Sequence, residues 1–136
     1  IAHICYIAAF RSLARFDNGY LRQNPWWALP FLAFACLLLW GLWEGIPVEM
    51  KIPVATYAGI ISIMALSVVN LKGKEEPAIF WLLYSGAVLF LISDSSLAVE
   101  KFGQGFYGSR LLVMLTYLGA QFLLVKGAIG LLRQTN

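Results

Sequence analysis

Four apolar blocks, each long enough to cross a bilayer, decide what this chain can fold into. They run over about residues 29–46, 53–71 (opened by Pro53, where a missing N–H costs nothing), 78–99 and 111–132. An α-helix needs roughly 17–25 apolar residues to traverse about 30 Å of hydrocarbon, and each block falls in that range. Residues 1–10 (IAHICYIAAF) form the exit end of a further span, closed by Arg11 and Arg15. In hydrocarbon every backbone N–H and C=O must be satisfied within the protein, which leaves helices and closed barrels as the spanning structures. The apolar residues come in blocks, without the alternation of a barrel strand. The expected fold is therefore all-α: a polytopic transmembrane helix bundle with four complete spans and the tail of a fifth. It forms a single transmembrane domain over residues 1–136.

Composition excludes the alternative of a buried core in water. The chain is 60% hydrophobic and 12% charged, against roughly 45–50% apolar and about 25% charged in soluble domains. A bilayer is the natural solvent. Paired tryptophans, Trp26 and Trp27, stand beside the second segment as an interfacial belt would. Alternate loops lie on opposite sides. One side collects Arg11, Arg15, Arg22, Lys72, Lys74 and Arg133, and the other collects Lys51, Lys101 and Arg110. The excess of basic residues places the first side, and with it the C-terminus, in the cytoplasm. The chain opens on Ile1 inside an apolar stretch, with no Met, basic leader or cleavage site. It is expected to be the C-terminal portion of a longer protein.

Several signals resemble chemistry and are better explained without it. The net charge of +3 comes from scattered residues, too sparse for nucleic-acid binding. Cys5 and Cys36 lie in apolar segments and are expected to be buried small hydrophobes. A single histidine leaves no His-based metal site within the chain, and no cofactor is expected. Gly103-x-Gly105-x-x-Gly108 matches a dinucleotide fingerprint, but it follows a membrane helix instead of a strand and reads as a loop. Gly41 and Gly45 form a GxxxG suited to close helix packing within the chain. Lys126 lies in the last span, seven residues from Arg133, where its ammonium can reach cytoplasmic headgroups.

Asp94 resists such a reading. It sits six residues before Glu100, about 9 Å inside the non-cytoplasmic boundary at 1.5 Å per residue. A charged, unpaired carboxyl there costs several kcal/mol, so it must face protein or a water-filled cavity. Tyr57 lies six residues past Lys51, and Tyr117 lies seven past Arg110. If these basic residues mark one interface, Asp94, Tyr57 and Tyr117 share a depth of about 9–10 Å. Gln121 follows one turn after Tyr117 on the same face. His3 and Tyr6 enter from the cytoplasmic side, about 12 and 7 Å in from Arg11. His3 is open between a site role and an ordinary interhelical hydrogen bond.

A set of ordered motifs joins these residues. They are His3-x-x-Tyr6, Pro53-x-x-x-Tyr57 with Met64 beyond, and Val113-Met114-x-x-Tyr117-x-x-x-Gln121. The longest is Gly86-Ala87-x-x-Phe90-x-x-Ser93-Asp94-x-x-Leu97-Ala98-x-x-Lys101-Phe102. Over nearly its whole length the chain resembles the lysoplasmalogenase family, the YhhN-type membrane proteins. The resemblance implies an eight-span protein with both termini cytoplasmic, in a bacterial inner membrane or the endoplasmic reticulum of a eukaryote. The implied activity is hydrolysis of the vinyl ether of a lysoplasmalogen, a lysophospholipid drawn from the bilayer, to fatty aldehyde and a glycerophospho-alcohol. The family uses two intramembrane aspartates. Asp94 matches the later one, while the earlier belongs to a span upstream of His3, so these spans alone are expected to be inactive. In this reading Asp94 is catalytic, and Tyr57, Tyr117, Gln121, His3, Tyr6 and Ser93 position substrate or water. The competing reading is a small transporter or channel that binds a proton or cation at Asp94, and a third is an assembly subunit without chemistry. Paired repeats and broken helices would mark a transporter, and neither is visible in these segments.

Overall fold

The computed structural model describes residues 20–73, 75–104 and 107–134, together with Ala8. His3, Cys5, Tyr6, Arg11 and Arg15 lie outside the described residues. A short helix α1 (Tyr20–Gln23) and a 3-10 turn (Pro25–Ala28) lead into four long helices. These are α2 (Leu29–Leu42), α3 (Val48–Val69), α4 (Pro77–Phe102) and α5 (Ser109–Gln134). Among the described residues there is no strand. With the 3-10 turn continuing into α2, four helical segments are long and apolar enough to cross a membrane. The expected all-α bundle is the observed one, and the chain is an integral membrane protein.

Two boundaries differ from expectation, and one proline explains both. The residue before a proline is disfavoured in the α region, so α2 cannot run through Ile46 into Pro47. It closes instead in a turn where the Gly45 N–H donates to the Leu42 carbonyl at 3.0 Å. Pro47, with φ −53° and ψ 145°, then caps α3, and Glu49 occupies the first turn, where negative charge favours the helix dipole. Pro53 therefore does not open the third span. It lies inside α3 and cannot donate to the carbonyl of Glu49, four residues back.

Packing is closest between α4 and α5. Buried residues on α4 recur at helical spacing through Ile79, Leu83, Ala87, Phe90 and Ser93, and Ala120, Leu124 and Leu131 do the same on α5. Lipid tails are as apolar as leucine, so close fit rather than the hydrophobic effect must hold such a pair together. Glycines provide that fit. A Cβ at Gly127 would stand 2.6 Å from Leu83 Cγ, and one at Gly86 would stand 3.0 Å from Leu124 Cγ. Overpacking costs about 1–3 kcal/mol, so Gly127→Val is expected to lower the thermal midpoint of the detergent-solubilised protein. A midpoint equal to wild type would refute this close approach.

The opposite side of α5 reverses the pattern of a soluble helix. Leu111, Leu115, Leu118, Phe122, Val125, Ile129 and Leu132 alternate in steps of four and three, and all are exposed. The stripe is apolar where a helix in water would be polar. At the other end of the bundle the chain before α2 is fastened to the end of α3. Buried Asn70 accepts a hydrogen bond from the Leu21 N–H at 3.2 Å, and Lys72 Nζ lies 3.6 Å from the centre of a Trp27 ring. This places Trp27 and a lysine together at one interface, as aromatic belts do.

Candidate active site

Each of three helices turns one stripe toward a common space. On α2 the stripe is Phe34, Ala35, Leu38, Leu39 and Leu42; on α3 it is Met50, Pro53, Val54, Tyr57, Ala58, Ile61 and Ser62. On α4 it is Leu91, Asp94, Ser95, Leu97, Ala98, Lys101 and Phe102. The steps of three and four are those of a single helix face. The cavity they enclose has a volume of about 380 Å³, within the range of about 300–1,000 Å³ typical of small-molecule sites. Its wall is overwhelmingly apolar. Two of its polar residues are turned back on their own helices: Ser62 Oγ donates to the Ala58 carbonyl at 2.8 Å, and Ser95 Oγ to the Leu91 carbonyl at 2.6 Å. Tyr57, Asp94 and Lys101 supply most of the remaining polarity.

Tyr57 and Asp94 meet across the cavity. The Tyr57 hydroxyl donates to Asp94 Oδ2 at 3.2 Å, joining α3 to α4. Asp94 is half-buried and Tyr57 is 43% exposed, so neither is sealed in a core. Tyr117 lies on α5 and is not part of the cavity wall. Its ring packs edge-on against Phe90, with centroids 5.5 Å apart. Two helices thus bring polar groups into direct contact, and a third sets Tyr117 against Phe90, one turn from Asp94.

The remaining candidates lie elsewhere. Ser93 is Asp94's neighbour in sequence but points about 100° away around the helix. It is buried, and its hydroxyl donates to the Val113 carbonyl at 3.2 Å, stitching α4 to α5. Gln121 is half-buried and lines a shallow depression on α5 beside Phe122, Val125 and Lys126, away from the cavity wall. Lys126 itself is exposed. His3 and Tyr6 lie outside the described residues. Cys36 is exposed on α2, contrary to the expectation of a buried side chain, because only Phe31 of that helix is buried. Gly103 and Gly108 fall in the connection between α4 and α5, with Gly108 at φ +86°, so the described ends of the glycine motif lie outside helix and strand.

Sequence reasoning overlooked Lys101. It enters there as a loop charge and as part of the longest motif, with no role in the site, yet it lines the cavity with Asp94. The signal was available, since residues seven apart on a helix share a face.

A sequence model described as the YhhN family matches residues 1–128. Among curated proteins, lysoplasmalogenase TMEM86B of Sus scrofa is 33% identical over 124 residues, covering 90% of this chain and 47% of that protein. Lysoplasmalogenase TMEM86B of Mus musculus is 33% identical over 129 residues, covering 95% of this chain and 50% of that protein. The Rattus norvegicus counterpart is also 33% identical over 129 residues, covering 95% and 48%. The chain spans about half the length of the curated relatives it matches. No solved structure matches it.

Proposed function

Since this chain belongs to the YhhN family, we propose that the intact protein is a lysoplasmalogenase and that Asp94 is one of its two catalytic carboxyls. The observation that carries this reading is the Asp94 carboxyl itself. It is hydrogen-bonded by Tyr57 at 3.2 Å and set in the wall of an apolar cavity. The names of the TMEM86B relatives support the choice of substrate. The charge asymmetry of the loops supports a cytoplasmic C-terminus.

The chemistry asks for few groups. A proton is delivered to the β-carbon of the vinyl ether, leaving an oxocarbenium ion on the α-carbon and oxygen. Water adds to the α-carbon and gives up a proton, and the hemiacetal collapses to aldehyde and alcohol. One carboxyl holding its proton near neutral pH serves as the acid, and a second, ionised, stabilises the cation and draws the proton from water. Glycosidases divide two carboxyls in the same way around an oxocarbenium-like transition state. Asp94 supplies one of these roles, and the partner carboxyl comes from an upstream span. Tyr57 holds the Asp94 side chain in place, and Tyr117 borders the same layer. The apolar stripes of α2 and α3 hold the alkenyl chain.

The test is an assay of the purified intact protein with a lysoplasmalogen, beside an acyl lysophospholipid of the same headgroup. Fatty aldehyde is expected from the first and no fatty acid from the second. Release of fatty acid from the acyl lipid, or no aldehyde from the vinyl ether, would overturn the reading.

A further inference from the structure

We infer that Lys101 binds the phosphodiester of the lysolipid headgroup, in the same cavity and at the same time as Asp94 meets the ether bond. The inference rests on the lysolipid reading of the cavity. Lys101 and Asp94 line one space. Seven residues separate them, which sets them about 10.5 Å apart along the axis and within about 20° of the same face. In a lysoplasmalogen, seven bonds join the vinyl β-carbon to phosphorus, an extended reach of about 9 Å at ordinary single-bond lengths. The four-carbon stem of lysine takes up the difference. Helix and substrate therefore carry the same spacing between a site of protonation and a site of negative charge.

Lys101 is also uncommitted to a competing anion. Neighbouring Glu100 is held by Arg110 Nε at 3.1 Å, and no carboxylate pairs with Lys101 among the described residues. Its ammonium lies 5.5 Å from the ring centre of Phe102, itself part of the wall. An exposed ammonium at one end of an apolar cavity suits a singly charged phosphodiester as a point-charge partner. The order of groups matches the lipid's own arrangement in a leaflet, with phosphate at the interface and the ether bond below it. A lysolipid from the leaflet at the Lys101 end can enter without inverting.

The experiment compares two vinyl ethers on the intact protein: a lysoplasmalogen, and a 1-O-alkenylglycerol that lacks the phosphate. Lys101→Met is expected to lower kcat/KM for the lysoplasmalogen about 10- to 100-fold, chiefly through KM. The phosphate-free substrate should fall far less, so the wild-type preference collapses. Lys101→Arg should retain most of that preference. A preference unmoved by Lys101→Met would overturn the inference, leaving this lysine to contact only bulk headgroups. So would an equal loss on both substrates. If the wild-type protein releases aldehyde from neither substrate, the proposed activity falls, and binding of a saturated 1-O-alkyl lysophospholipid decides this point alone. Weaker binding by Lys101→Met by a similar factor would support the phosphate contact, and unchanged binding would end it.

Discussion

Replacing Asp94 by asparagine in the intact protein is expected to reduce aldehyde release from a lysoplasmalogen by at least about 10²-fold, the lower bound for losing a positioned acid or base. The substitution is chosen because it changes the chemistry and little else. Asparagine has the size of aspartate and keeps an oxygen that can accept the Tyr57 hydroxyl, so the 3.2 Å contact between α3 and α4 can survive. What disappears is the capacity to hold and release a proton. A carboxyl at this site in a purely architectural role would yield the opposite pattern, with altered thermal stability and unaltered turnover. Aldehyde formation and thermal unfolding measured on the same preparation separate the two. Turnover equal to wild type would remove Asp94 from the reaction.

The largest effect on stability is expected from Gly45→Ala. A Cβ at Gly45 would collide with the Phe102 carbonyl oxygen and lie 3.1 Å from its carbonyl carbon. Those atoms are backbone, so no rotamer change relieves the overlap. The turn after α2 and the end of α4 must move apart. The cost should reach at least about 3 kcal/mol, the upper part of the usual range for overpacking. Leu42 and Phe102, on either side of this contact, both line the cavity, so its end should widen as well. Gly41→Ala is the control, because a Cβ there would meet nothing within 4 Å. Thermal unfolding in detergent should show Gly45→Ala melting well below wild type and Gly41→Ala beside it. Coincident melting of all three would mean that the close approach does not exist.

These two glycines show what a membrane sequence reveals and what it conceals. The spacing of Gly41 and Gly45 advertises helix packing but not that only one of them is needed. The spans themselves were legible, because block length in a bilayer is a physical requirement rather than a preference. The depth of Asp94 relative to Tyr57 was legible for a similar reason, since both could be counted from charged residues that cannot enter hydrocarbon. Rotation about each helix axis was not. In water one face is polar and the other apolar, but here Leu118 faces outward and Leu124 is fully buried with no difference in residue type. Ser93 and Gln121 joined the candidate set on this account, as sequence neighbour and depth neighbour of functional positions. Packing then turned Ser93 toward Val113 and set Gln121 off the cavity wall. Pro53 was misjudged because Pro47, six residues earlier, satisfies the same helix-start criterion and does so first.

Helices α4 and α5 each contain 26 residues, about 39 Å of helix at 1.5 Å per residue, in a membrane whose oily interior measures about 30 Å. The surplus has to be absorbed by leaning or by letting the ends stand proud. Either way, the level at which Asp94 rests beneath the surface is agreed between the protein and its surroundings. In a thick membrane the pair stands more upright, and in a thin one it reclines. In the proposed reaction, the lipid matrix would thereby share in the aiming, setting where along an incoming molecule the Asp94 carboxyl meets it.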